Sequence, residues 1–155
     1  MLLQEIFDKA AIHLLTQMKP AIIYNEQQAP ICMYKDPSGL KCAVGAFIPD
    51  ELYKYSLENK TVKSQALLDV LVAAKVVDDV YCITKPDCVR VEMSSISNTD
   101  ALVKRKLWTD SVPCSLLSDL QELHDNSKPV HWLSGLYYIA TEFGLSKEKL
   151  PAFPA

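Results

Sequence analysis

The 155-residue sequence has only four glycines, and Gly39 and Gly45 form neither a G-x-G-x-x-G fingerprint nor a Walker pattern. Phosphate cradling by a glycine-rich loop is therefore without support. Basic charge is equally scarce. The net charge is -3, and the densest cationic run, Lys104-Arg105-Lys106, is flanked by Asp100 and Asp110. That reads as a solvated helix face rather than the basic stripe of a nucleic-acid binder. No long apolar run is present, because Ala66 to Val77 is interrupted by Asp69 and Lys75 and is too short to span a bilayer. The opening Met1-Leu2-Leu3 runs into Gln4, Glu5 and Asp8 without a basic start or an apolar stretch of signal-peptide type. Five cysteines, an odd number, without such a leader predict reduced thiols and a cytoplasmic location, with no membrane partner.

What is present suits one α-rich α+β domain, 1–155, with helices at both ends around a short hairpin and a small β element in the middle. Apolar residues 49% and charged residues 23% are ordinary for a globular chain. Leu3, Ile6, Phe7, Ala10, Ala11, Leu14, Leu15 and Met18 recur at helical spacing, and Pro20 ends that helix. His13 borders the stripe. Residues 21–31 show no clean period. Cys32-Met33-Tyr34 and Leu40-Lys41-Cys42 flank Asp36-Pro37-Ser38-Gly39, which suits a type I turn and a short hairpin. Cys42 to Ile48 reads as a buried helical segment stopped by Pro49, with Asp50 and Glu51 capping the turn at Leu52-Tyr53. Ser64 caps a helix to Lys75. Residues 76–84 and 89–93 are β-rich, and 100–109 form a short helix. Leu116, Leu117, Leu120 and Leu123 stripe the next helix. Trp132, Leu136, Ile139, Ala140 and Phe143 stripe the last, which starts after Pro129 and closes at Gly144 in a Schellman arrangement. Residues 149–155 make an irregular tail.

Residues 32–53 concentrate the unusual features, and with the later Leu120-Gln121-x-x-His124-Asp125 they carry a resemblance. Gln4-Glu5-Ile6-Phe7-Asp8-Lys9, Cys32-x-Tyr34-Lys35, Gly39-Leu40-Lys41-Cys42-Ala43-Val44-Gly45 and Ile48-Pro49-Asp50-Glu51 resemble a group of small uncharacterised bacteriophage and prophage proteins. The likeness covers roughly residues 1–58 and 113–145 and leaves 60–112 as a candidate insertion. It carries no assigned activity. It implies a phage or prophage source, and by association a partner among host, mobile-element or defence-system proteins.

Two enzymatic or metal readings compete with binding. A cysteine-dependent hydrolase would use Cys42 as nucleophile, His124 as base and Asp125 to orient it, since unpaired N–H groups at a helix start favour a thiolate. Against it, Cys42 beside Ala43 and Val44 fits a small buried hydrophobe, and neighbours on a helix point about 100° apart. For zinc, Cys32 and Cys42 are ten apart, Cys82 and Cys88 six, His124 and His131 seven. None is a standard pair, so no metal is assigned, although folding could gather Cys32, Cys42 and His124. No cofactor is expected. Asp50 and Glu51 could take a divalent ion, but a helix cap explains them more simply. The favoured reading is an accessory protein that binds a host or defence-system protein or a small signalling ligand. Tyr34, Lys35, Lys41, Asp50, Glu51 and Tyr53 are its expected binding residues, and Arg90 could complete a small-ligand pocket. Tyr55, Tyr137 and Tyr138 add aromatic surface of the kind found at interfaces, homodimers included.

Overall fold

The computed structural model describes residues 1–77 and 106–152, together with the backbone of two strands between them. Helix α1 (Leu3–Gln17) opens the chain and buries Ile6, Phe7, Ala10, Ala11 and Leu14. The Glu5 carboxylate accepts the Leu2 N–H at 2.6 Å, satisfying a donor that the helix start would leave free. Met18 turns left-handed at φ 48° to close the helix, one residue before the Lys19-Pro20 pair that disfavours its continuation.

Strand β1 (Ile22–Tyr24) then pairs with β2 (Pro30–Cys32) in an antiparallel hairpin, Ile22 opposite Cys32. This corrects the expectation that Cys32 belongs with Cys42 in one hairpin. The Asp36 turn does form, with Gly39 donating to the Asp36 carbonyl at 3.0 Å and Asp36 Oδ1 accepting from Ser38 and Leu40. Gly39 takes φ 92°, open to glycine at no steric cost. The pairing around that turn is a single bridge, Lys35 opposite Lys41. Between 42 and 48 only Gly45–Phe47 is helical, as one 3-10 turn.

Helix α2 (Gln65–Ala73) starts at Ser64, whose hydroxyl accepts the Leu67 N–H. Strands β3 (Val80–Cys82) and β4 (Arg90–Glu92) pair antiparallel. The expected Arg90 pocket contact, the Lys104-Arg105 pair and most of the 100–109 helix lie outside the described residues; 106–109 are helical. Ser111 caps α3 (Val112–Asn126), and a 3-10 turn at Pro129–His131 leads into α4 (Trp132–Glu142). Gly144, at φ 64°, and the Leu145 N–H to Ala140 carbonyl bond at 2.8 Å close α4 as the sequence predicts.

Helices α1, α3 and α4 pack on one another, and a side chain at Gly135 would collide with Leu123 where α3 and α4 meet. Their core is continuous with Val62, Leu67, Leu68, Leu71 and Trp108, so the described parts of 60–112 share it. The tail is strapped down: Lys149 pairs with the buried Asp8 at 2.8 Å, and the Tyr137 hydroxyl donates to the Pro151 carbonyl. The chain is thus a helix-rich α+β fold. Among the described residues no helix is long and apolar enough to cross a membrane.

Candidate functional site

The C-terminal half of α3 brings Gln121, His124 and Asp125 against the 32–45 segment. Gln121 bridges the two: its Oε1 accepts the Val44 N–H at 3.2 Å and its Nε2 donates to Asp125 Oδ1 at 2.7 Å. The 32–45 segment and the Leu120–Asp125 stretch therefore meet in space.

His124 is 2% exposed and stacks on Trp132, with ring centroids 5.5 Å apart. Its Nε2 lies 3.0 Å from the Ala21 N–H, and its Nδ1 lies 2.8 Å from Asp125 Oδ1. A backbone N–H can only donate, so Nε2 is the acceptor and the proton is assigned to Nδ1. Both ring nitrogens are thereby committed. The adjacent His124 and Asp125 do cooperate, contrary to the argument from helical spacing, because Nδ1 lies close to the main chain, within reach of the next side chain.

Cys42 is fully buried, and burial pushes its thiol up to about 12. The Gly45 N–H does point at Sγ from 3.1 Å, as expected at a helical turn, and with the Val44 N–H and the Gln121 side chain it favours the thiolate, but these donors do not offset the loss of water. A neutral buried thiol and an imidazole whose acceptor nitrogen faces Ala21 do not make a nucleophile–base pair. Cys32, not Cys42, approaches His124 and Asp125; its thiol lies 3.8 Å from the Asp125 carbonyl oxygen and is pushed up to about 11, first by burial and then by Asp125.

Among the described residues, ligating atoms of Cys32, His124 and Asp125 lie within 4.8 Å of one another, close enough to hold a metal. A metal on Nδ1 would move that proton to Nε2, against the Ala21 N–H. The arrangement fits a hydrogen-bonded network better than a metal centre.

Beside this network lies a cleft of about 450 Å³, walled by Cys32 to Tyr34, by Lys60 to Lys63 and by α3 residues including Gln121, Glu122 and Asp125. Glu58 shapes it. Its carboxylate accepts the Tyr34 N–H at 2.8 Å, the Lys35 N–H at 3.1 Å and the Tyr53 hydroxyl at 2.6 Å. Tyr34 is buried, with its hydroxyl on the Lys60 carbonyl. The Asp125 side chain stays 30% exposed; Gln121 and His124 bond its Oδ1, and the Cys32 thiol also bonds this carboxylate.

The other expected binding residues gather separately. Asp50 Oδ1 lies 3.0 Å from both Lys35 Nζ and Lys41 Nζ, and these two lysines hold its carboxyl below the usual carboxylate range, Lys41 foremost. Lys35 also lies over the Tyr53 ring at 5.7 Å. Asp50 is thus an ion-pair hub rather than a cap, and the turn at Leu52-Tyr53 is held by the Pro49 carbonyl. Glu51 is exposed and joins none of these contacts. Of the remaining tyrosines, Tyr55 and Tyr138 are exposed, while Tyr137 is half-buried against the tail.

Sequence reasoning missed Glu58, which closes the 3-10 turn Tyr55–Leu57, and Lys60 and Lys63, which sit in polar linker without a pattern. It quoted Gln121 but gave it no role. No protein-family model, no curated protein and no solved structure matches this chain.

Proposed function

We propose that this chain acts by binding, at the cleft beside Asp125, and that the Cys42, His124 and Asp125 set is architectural rather than catalytic. The observation that carries the reading is Asp125 itself. His124 and Gln121 fix one carboxylate oxygen from inside, while the side chain stays open to the cleft. A rigid, partly shielded carboxylate at the edge of a cleft this size is an orienting group for a ligand. The resemblance adds a phage or prophage setting, in which the bound species is a small signalling ligand or a segment of a host or defence-system protein.

Native mass spectrometry of protein recovered from bacterial lysate tests this, comparing wild type with Asp125→Asn and Cys42→Ala. Asparagine keeps one acceptor oxygen for His124 and Gln121, while it removes the charge and turns the other oxygen into an NH2 donor. A stoichiometric bound species lost in Asp125→Asn and kept in Cys42→Ala supports the reading. A covalent adduct that requires Cys42 overturns it in favour of thiol chemistry.

A further inference from the structure

The walls of the cleft differ in charge, and this narrows the ligand; the inference rests on the binding reading above. On α3, Glu122 and Asp125 lie three residues apart and so share a helix face. Across from them, Lys60 and Lys63 are exposed on the segment that follows Glu58. Glu58 itself is already engaged by three donors. Among the described residues no lysine or arginine forms an ion pair with Asp125. Gln121 and His124 bond its Oδ1 and the Cys32 thiol also lies against this carboxylate, yet the side chain stays 30% exposed and can accept a donor from the cleft.

Each simpler ligand meets an obstacle. A polyanion is repelled by Glu122 and Asp125. A simple cation gains from Asp125 but nothing from the lysine wall. An apolar ligand would strip water from a carboxylate and return no hydrogen bond. A molecule carrying both charges satisfies both walls, and about 450 Å³ holds one of modest size. We propose that the cleft takes a small zwitterion of the amino-acid class, its cationic nitrogen donating to Asp125 and its carboxylate facing Lys60 and Lys63. Guanidinium and ammonium both meet the Asp125 requirement, the former with paired donors.

The test is a titration of ¹⁵N-labelled full-length protein followed by amide shifts, with three probes: L-arginine, agmatine, which lacks the carboxylate, and N-acetylglycine, which lacks the cation. L-Arginine is expected to shift amides of 32–34, 60–63 and 121–126 saturably, with the other two at least tenfold weaker. Asp125→Asn should weaken L-arginine at least tenfold while the spectrum stays dispersed. The Lys60→Gln, Lys63→Gln double variant should bring L-arginine down to the agmatine level. Equal binding of agmatine and L-arginine, no saturable shift with L-arginine, or indifference to Asp125→Asn each overturns the proposal. If L-arginine fails while lysate capture still yields a species dependent on Asp125, the ligand class is wrong and the binding reading stands. If both fail, both fall.

Discussion

Replacing His124 by alanine removes an acceptor and a ring at once, and the two losses can be separated. The Ala21 N–H is fully buried and bonds only to His124 Nε2. Leaving such a donor unpaired costs about 1–3 kcal/mol. The ring also fills space against the buried Trp132, and truncating it adds roughly 2 kcal/mol of lost packing. Asp125 loses a donor as well, but water reaches its side chain and replaces it. The total is about 4 kcal/mol, which for a chain of this length lowers Tm by about 8–16 °C. His124→Phe restores most of the ring volume without the acceptor, so its cost should fall to the hydrogen-bond part, about 1–3 kcal/mol. Urea denaturation followed by tryptophan fluorescence suits the question, because Trp132 is stacked on the ring and the chain has two tryptophans. A His124→Ala protein within 1 kcal/mol of wild type, or a His124→Phe protein as stable as wild type, would refute the assignment of His124 as the structural partner of Ala21.

Gly45→Ala should destabilise by about 3 kcal/mol or more, because the added methyl lands on the Tyr34 backbone carbonyl and neither strand of backbone can yield cheaply; thermal denaturation checks it, and an unchanged Tm contradicts the close approach. Glu58→Ala should cost about 2–4 kcal/mol by orphaning the Tyr34 and Lys35 N–H groups together with the Tyr53 hydroxyl, read by the same denaturation curves. Iodoacetamide at pH 8 should label half-buried Cys32 well before Cys42, and mass mapping that found Cys42 modified first would count against its burial. The raised Cys42 thiol also sets a sign with pH. Folding favours the neutral thiol, so its contribution is complete below about pH 9, the ordinary thiol value, and declines as pH rises toward about 12. Cys42→Ala should therefore lose less stability than wild type between pH 9 and 11, and parallel alkaline declines would contradict this.

Local patterns made the helices legible. The stripe from Leu3 to Met18, the Ser64 cap and the Gly144 closure all rest on residues within one or two turns of each other, which is the range that periodicity and capping report. The β1–β2 hairpin was not legible, since strands of three residues are too short to show alternation and its loop is organised by Asn25 Oδ1 rather than by glycine. At the site, His124 and Asp125 could be named from the sequence, but the partner that decides their role could not. Ala21 contributes a main-chain N–H from 103 residues away, and no side-chain pattern encodes that. Glu58 escaped for the same reason, as two of its three donors are backbone groups 23 and 24 residues distant. The lysine–aspartate hub was nearer the surface of the sequence, because Lys35 and Lys41 face each other across the turn that Asp36-Pro37-Ser38-Gly39 announces.

The tautomer of His124 tests the whole account most directly, because the choice of binding over thiol or metal chemistry turns on which nitrogen carries the proton. Long-range ¹H–¹⁵N correlation spectra of the imidazole distinguish the two neutral forms. The network predicts a protonated Nδ1 and an unprotonated Nε2 that couples to the Ala21 amide. A ring protonated on Nε2, with Nδ1 bare toward Asp125 and Cys32, would contradict it and reopen His124 as a base or a ligand.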